Sequence, residues 1–426
     1  DETYTPTDQD KDGDLDGPFA VGSNRYGIRT MGAHSGKIVN SGTITVEGNN
    51  SAGIWLGGTQ TGNFTHDGKT SVLGDNSVGV HAGAITGDVR LAGTVTATGA
   101  NSVGAEFTGD ISGAMVVQGN IGATGYRYTT PPTSTDKLDA DDLFQGGSAL
   151  IVSGNVGGGI VLAVAPKDSD PNNADEDKDG IPDAKEGNAA VASYGAAPAM
   201  VIGAQNRDIA IGAVANTPNH YGLLVDGGIA GSGVYAGIDG NGLVIGGQGG
   251  AVTIANGMGV AGTISAKSNG GSATALRIGD GASVPEVRVS GTIGAEGAQA
   301  TAVRIDAGAT VTTIRNSGTL GAKTSATTGT ATAILDRSGG VTLIENSGAI
   351  SAAGAAADST RNVAIDVSAN TSGVTVRQTA VASGETAPTI AGDIRFGSGN
   401  DLLDIADGTV TGNVGFGAGN NQLALS

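Results

Sequence analysis

Ile314-Arg315-Asn316-Ser317-Gly318-Thr319-Leu320-Gly321-Ala322 decides the fold, because the same pattern returns along most of the chain. It reappears from Ile344 to Ala352, Val287 to Ala295, Met258 to Ala266, Val89 to Ala97, Met115 to Ala123 and, with valine last, Ile38 to Val46. With the shared glycine as origin, the residue four places before it is apolar at Ile38, Phe64, Val89, Met115, Leu150, Met258, Val287, Ile314 and Ile344. The residue two places after it is apolar at Ile44, Val95, Ile121, Val156, Ile264, Ile293, Leu320 and Ile350. The glycines at 42, 68, 93 and 119, and again at 262, 291, 318 and 348, lie 25 to 30 residues apart. A period in that range implies stacked units.

Alternation of apolar and polar residues on both sides of the glycine reads as two short strands joined by a bend, since strand side chains change face at every residue. A third strand follows in each unit, as at Ser51-Ala52-Gly53-Ile54-Trp55, Ser77-Val78-Gly79-Val80 and Ala300-Thr301-Ala302-Val303. Three strands and three turns per unit fit one coil of a right-handed parallel β-helix. One coil cannot bury its own inward face, so the coils must stack. The expected fold class is therefore all-β: a β-solenoid of roughly 14 coils at about 4.8 Å per coil, on the order of 65 to 70 Å long, with acidic loop insertions.

Composition agrees. Of 426 residues 76 are Gly, 38% are hydrophobic and 3% aromatic, which suits a narrow aliphatic core with frequent turns. Gly without a triplet period is not collagen, and regular apolar positions argue against disorder. The formal net charge is −19, from 41 acidic and 22 basic residues. That repels phosphate backbones and makes cations, not nucleic acid, the natural partners. With no cysteine, disulfides and thiolate metal sites are excluded. No apolar run reaches the roughly 18 residues of a spanning helix, and the polar start at Asp1 resembles a chain after signal cleavage.

Residues 1–18 read as an acidic N-terminal calcium-loop segment, and 19–426 as a single β-helix with insertions at about 126–147 and 166–187. The second insertion carries the strongest chemical motif. Asp175-x-Asp177-x-Asp179-Gly180-x-x-Asp183-x-x-Glu186 matches the calcium-loop spacing D-x-D-x-D-G-x5-E. Its oxygens alternate along the chain, glycine permits the sharp turn, the Ile181 carbonyl takes the seventh place, and the closing glutamate can bind through both oxygens. Asp168, Asp170 and Asn172 just before it resemble the ligand-sharing loops of thrombospondin type 3 repeats. A poorer copy of the loop runs through Asp8, Asp10, Asp12, Gly13, Asp14 and Asp16, with Phe19 where the glutamate should stand. So many carboxylates on short loops repel one another unless a cation neutralises them; calcium is the cofactor expected. The alternative is a solvated acidic loop.

At the end of the chain Phe396-Gly397-Ser398-Gly399-Asn400-Asp401-Leu402-Leu403 is echoed twenty residues later from Phe416. It resembles the calcium nonapeptide of repeats-in-toxin β-rolls. The copies lie far apart and Asn421 replaces the aspartate, so calcium at Asp401 and a plain glycine turn both stay open. Gly257-x-Gly259-x-x-Gly262 has the letters of a dinucleotide fingerprint but precedes a strand, not a helix. Gly68-Lys69-Thr70 lacks correctly placed upstream glycine for a phosphate loop. The four histidines, His34, His66, His81 and His220, are scattered. Trp55 reads as a packed coil residue, or alternatively as an outward contact.

The Asn-Ser-Gly-Thr-Ile type turns, the Gly48-Asn49-Asn50-Ser51-Ala52-Gly53-Ile54 type strands, the absence of cysteine and the closing glycine-asparagine pair resemble the passenger domain of a bacterial autotransporter (type V secretion). The resemblance implies a secreted β-helix displayed on a Gram-negative outer membrane by a C-terminal β-barrel beyond this stretch. It brings no catalytic residues. The function expected is a surface-exposed or secreted structural or adhesive solenoid, not an enzyme, with Ca2+, cell-surface glycans or other copies of the chain as partners. Any membrane contact would run through that barrel. The alternative is a polysaccharide lyase or hydrolase. Against it, Arg277, Arg288, Arg304 and Arg315 lie on neighbouring coils without a clustered carboxylate set in the sequence.

Overall fold

The structure is a computed structural model that describes residues 5, 7–9, 11, 13, 15–18, 20–170, 172–176, 178, 180–357 and 359–426. It is a right-handed parallel β-helix. Each coil contributes one strand to each of three long parallel sheets. The first sheet has 13 strands, from Tyr26–Thr30 to Val414–Gly415; the second has 13, from Ile38–Asn40 to Gln422–Leu425; the third has 12, from Thr43–Glu47 to Thr409–Thr411. Two three-stranded sheets pair short strands in the turn between first and second sheets, at His34–Ser35, Gln60–Thr61 and Ile85–Thr86, and again at Ile209–Ile211, Val252–Ile254 and Ala282–Ser283. The only helical element among the described residues is a 3-10 turn, Asp183–Lys185.

There are thirteen coils instead of the expected fourteen or so. The difference lies in the middle of the chain, where successive first-sheet strands at Leu150–Val152, Met200–Ile202 and Gly240–Ile245 are separated by long corner loops. At about 4.8 Å per step, thirteen strands span roughly 58 Å. One repeat was also misplaced in the sequence. Leu150 pairs with Ala105 and Met200 in the first sheet, and Ile160 takes the second-sheet position of that coil.

The remaining inward positions stand as expected. In the second sheet Phe64, Val89, Met115, Ile160, Met258, Val287 and Ile344 form one in-register column, and in the third Val95, Ile121, Ile264, Ile293, Leu320 and Ile350 form another. All are at most 1% exposed, so each aliphatic side chain packs on its equivalent above and below.

The repeat glycine has a specific task. At Gly93, Gly119, Gly291, Gly318 and Gly348 an added Cβ would overlap the carbonyl oxygen of the glycine one coil below. None of these has a positive φ, so the requirement is close approach of two backbones and not a left-handed turn. The left-handed conformation is used at another corner, between third and first sheets, by Asn50, Asn76 and Asn101 with φ of 49°, 52° and 57°. Asparagine tolerates that region better than most residues.

Polar groups inside the stack satisfy one another along the axis. Asn316 Nδ2 donates to Asn346 Oδ1 at 2.8 Å, and Asn346 Nδ2 to Gln378 Oε1 at 3.2 Å. The backbone N–H of Ser51 donates to Ser77 Oγ at 3.0 Å, and that of Ser77 to Ser102 Oγ at 3.1 Å. His66 is less well served: it is fully buried, its Nε2 meets Thr70 Oγ1 at 2.8 Å, and its Nδ1 has no hydrogen-bond partner among the described residues. Burial pushes its pKa below the ordinary 6.5.

Gly318→Ala is expected to destabilise the chain by roughly 1–3 kcal/mol through overpacking. Gly32→Ala, where a Cβ meets nothing within 4 Å, should stay within about 0.5 kcal/mol; denaturant melts compare the two. For His66 the folded state favours the neutral ring, so below its ordinary 6.5 the unfolded chain binds the extra proton and stability falls. The loss should approach about 1.4 kcal/mol per pH unit until the folded ring also titrates. His66→Leu, copying Leu91 in the next coil, should flatten the melting temperature between pH 7.5 and 5 relative to the parent chain.

Candidate metal centres

The described residues of the two acidic loops follow one backbone pattern. In the second insertion the Glu176 N–H donates to Asp183 Oδ1 at 3.3 Å and the Asp183 N–H to the Ala174 carbonyl at 2.9 Å. In the N-terminal loop, at the same spacing, the Gln9 N–H donates to Asp16 Oδ2 and the Asp16 N–H to the Thr7 carbonyl at 3.1 Å. Lys178 and Gly180 have φ of 59° and 90°; their counterparts Lys11 and Gly13 have φ of 66° and 100°. The first aspartate of each loop, Asp175 and Asp8, holds a buried Oδ1 without a hydrogen-bond donor among the described residues. Asp8 Oδ2 accepts from the Gly13 N–H at 3.1 Å. Hard oxygen-liganded cations take such unpaired carboxylate oxygens as ligands.

The other sequence-predicted ligands divide as follows. Ile181 is 7% exposed and anchors its loop, while Glu186 and Asp183 are half-buried. Asp168, Asp170 and Asn172 are exposed; the Asp170 carboxylate accepts the Asn172 N–H at 3.1 Å, and Ser169 binds Glu176 through its N–H and Oγ at 2.9 and 3.0 Å. Asp10, Asp12, Asp14, Asp177 and Asp179 lie outside the described residues, as does Phe19.

Two carboxylates escaped the sequence reading. Asp139 and Asp141, on the first insertion, meet Asp16 with candidate ligand oxygens within 4.8 Å of one another. The Gly17 N–H donates to the Asp141 carboxylate, which ties the N-terminal loop to that insertion. Burial and the hydrogen bond to Asp139 push the Asp141 pKa up. The usable signal is a loop that lacks its closing glutamate together with the acidic run Asp139 to Asp142 in the first insertion. The insertion itself is fixed to the solenoid: the fully buried Asp142 pairs with Arg127, Tyr126 bonds Asp75, and Tyr128 packs edge-on to Tyr235.

Elsewhere the arginines do have carboxylate partners, contrary to the sequence reading. Arg277 and Arg304 both reach Asp306 at 2.6 Å. Arg288 and Arg315 share Glu286 at 3.0 and 3.4 Å, Arg315 also pairs with Glu345, and Arg377 bonds Asp404 at 2.8 Å. Although burial opposes it, Tyr221, Arg288 and Arg315 hold the Glu286 pKa down, and Arg277 and Arg304 do the same for Asp306. Trp55 faces outward yet is packed: it stacks on His81 at 3.7 Å with Tyr26 edge-on at 6.1 Å, and His81 Nδ1 meets Glu106 at 2.6 Å.

Comparison with known families, curated proteins and solved structures finds no match for this chain.

Asp401 is 1% exposed; its Oδ1 accepts from the Val374 N–H, and its Oδ2 has no donor among the described residues. One coil on, Asn421 makes the matching Oδ1 contact to the Asp401 N–H and turns its Nδ2 to the Gly417 carbonyl. Asp401→Asn is therefore expected to stabilise the chain by about 1 kcal/mol. A melting temperature lowered by this change only when calcium is present would mark Asp401 as a cation ligand instead.

Proposed function

We propose that this chain is a structural, adhesive β-solenoid held outside the cell and stiffened by calcium, of the passenger type that autotransporters display on a Gram-negative outer membrane. The observation that supports the metal reading is that the described residues of 7–16 and 174–183 repeat the same two closing hydrogen bonds at the same spacing. In the second loop Asp175, Asp177, Asp179, the Ile181 carbonyl, Asp183 and Glu186 would hold one ion, with Asp168, Asp170 and Asn172 beside it. In the first, Asp8, Asp10, Asp12, Asp14 and Asp16 would be completed by Asp139 and Asp141, which stand in for the glutamate that Phe19 replaces. The surface role is supported by the cysteine-free, acidic, elongated fold and by its repeat chemistry. A lyase would need one of the arginines to leave its carboxylate and serve as base, and nothing in the ladder favours that.

Calcium binding to the folded chain alone should add RT ln(1 + [L]/Kd), about 1.4 to 2.7 kcal/mol at roughly 10 to 100 times Kd. Calorimetry at millimolar calcium should therefore give two binding events, and chelation should lower the melting temperature and open cleavage at Lys178 and Lys185. Asp175→Ala with Glu186→Ala should remove one event, and Asp139→Asn with Asp141→Asn the other. A melting curve and cleavage pattern indifferent to chelator would reduce both loops to solvated acids.

A further inference from the structure

Three adjoining cavities, of about 190, 120 and 490 Å3, follow the corner between the second and third sheets. The first and second share Arg288, and the second and third share Ser317 and Ser347, so they form one trough. Its floor takes one residue from each of six successive coils: Asp226, Ala261, Ser290, Ser317, Ser347 and Thr379. Five steps at about 4.8 Å make it roughly 24 Å long. One wall carries Arg288, Arg315 and Glu345 of the arginine–carboxylate ladder, and the two guanidinium side chains remain 44% and 34% exposed. Residues 217–219 border one end and residues 385–387 the other.

We propose that this trough binds an extended, neutral, polyhydroxylated glycan lying parallel to the solenoid axis. The proposal rests on the adhesive reading above and names its ligand class and site. A peptide adding as a strand needs free backbone donors and acceptors. At this corner they are used between coils: the N–H groups of Ser317, Thr319, Ser347 and Ala349 donate to the carbonyls of Val289, Gly291, Asn316 and Gly318, each at 2.8 Å. A polyanion meets a chain of net charge −19 and a wall whose cations already face carboxylates. What the trough offers is the hydroxyls of Ser290, Ser317, Ser347 and Thr379, repeated at the coil spacing, close to the length of one hexose, beside the half-exposed guanidiniums of Arg288 and Arg315 and the Glu345 carboxylate. Both donors and acceptors are present, as sugar hydroxyls require.

The test is titration of the calcium-loaded chain with xylohexaose and cellohexaose, with hexagalacturonate as the anionic probe, by calorimetry and NMR. Ser317→Trp and Ser347→Trp fill the trough from exposed or half-buried turn positions, and Ala230→Trp, exposed on the third sheet, is the control. Melting temperatures confirm that each variant folds. A neutral probe should bind, and each trough variant should weaken it at least about tenfold while the control does not. Equal binding by all variants, binding of hexagalacturonate only, or no binding by any probe would overturn the proposal. Adhesion of the same variants to a host surface separates the two ideas: adhesion that persists with the trough filled leaves the adhesive reading standing and removes the trough from it.

Discussion

The structure depends on how closely two peptide backbones can lie at the corner between the second and third sheets. Parallel strands must repeat at about 4.8 Å on every face at once, or hydrogen bonding on one face would pull the others out of register. The corner that limits this approach is the one where Gly291, Gly318 and Gly348 lie against the carbonyl of the glycine below. A methyl group there would open the corner and, through it, the aliphatic columns on both adjoining faces. This explains why the glycine recurs more strictly than the apolar positions around it, which exchange Ile, Val, Leu and Met freely because one branched or flexible side chain fills nearly the same volume as another.

The same repetition imposes an electrostatic rule. In a register-locked stack each residue sits over its equivalent, so identical charges in one column would face each other at about 4.8 Å, costing about 3.5 kcal/mol at an effective dielectric of 20. The chain avoids this by interleaving. Arg288 and Arg315 are consecutive in their column, but Glu286 from the neighbouring column reaches both, and Glu345 follows them. Inside, where charge would be costlier, amides and hydroxyls replace it. Asn316 donates to Asn346 and Asn346 to Gln378, whose own Nε2 donates to the Asp407 carbonyl, so each of these amides finds an acceptor without water.

Much of this was legible in the sequence because a solenoid repeats its reasons. Glycine at a fixed offset from two apolar residues betrayed the coil, and eight such units made the reading robust. The inward course of Asn316 was not legible: in Asn-Ser-Gly it looks like a turn residue, and only its stacking on Asn346 identifies it as core. Leu150 was assigned to the wrong sheet because Gly154 and Val156 stand at the right distance by coincidence, in a coil lengthened by insertions. Asp139 and Asp141 were invisible as partners of Asp16 because they lie more than a hundred residues away and share no period with it. Local chemistry and repeats can be read from a string, whereas a contact between two insertions depends on where the solenoid carries them.

The positions of the insertions follow from the same geometry. Strand edges within the stack are all used by neighbouring coils, so extra chain can leave only at corners. The first insertion leaves between the third-sheet strand Asn120–Thr124 and the first-sheet strand Leu150–Val152, where the N-terminal loop can reach it. The second leaves between the second-sheet strand Ile160–Leu162 and the third-sheet strand Ala190–Tyr194, the corner that carries the trough. Its base, at Ala163, Val164 and Pro166, lines a separate cavity of about 670 Å3 with Arg90 and Gln118, and the trough begins at Asp226 in the next coil. The acidic loop thus stands between two concave stretches of one corner. Whatever fixes that loop also sets the boundary between them, because the chain that leaves the corner there is flanked by both openings.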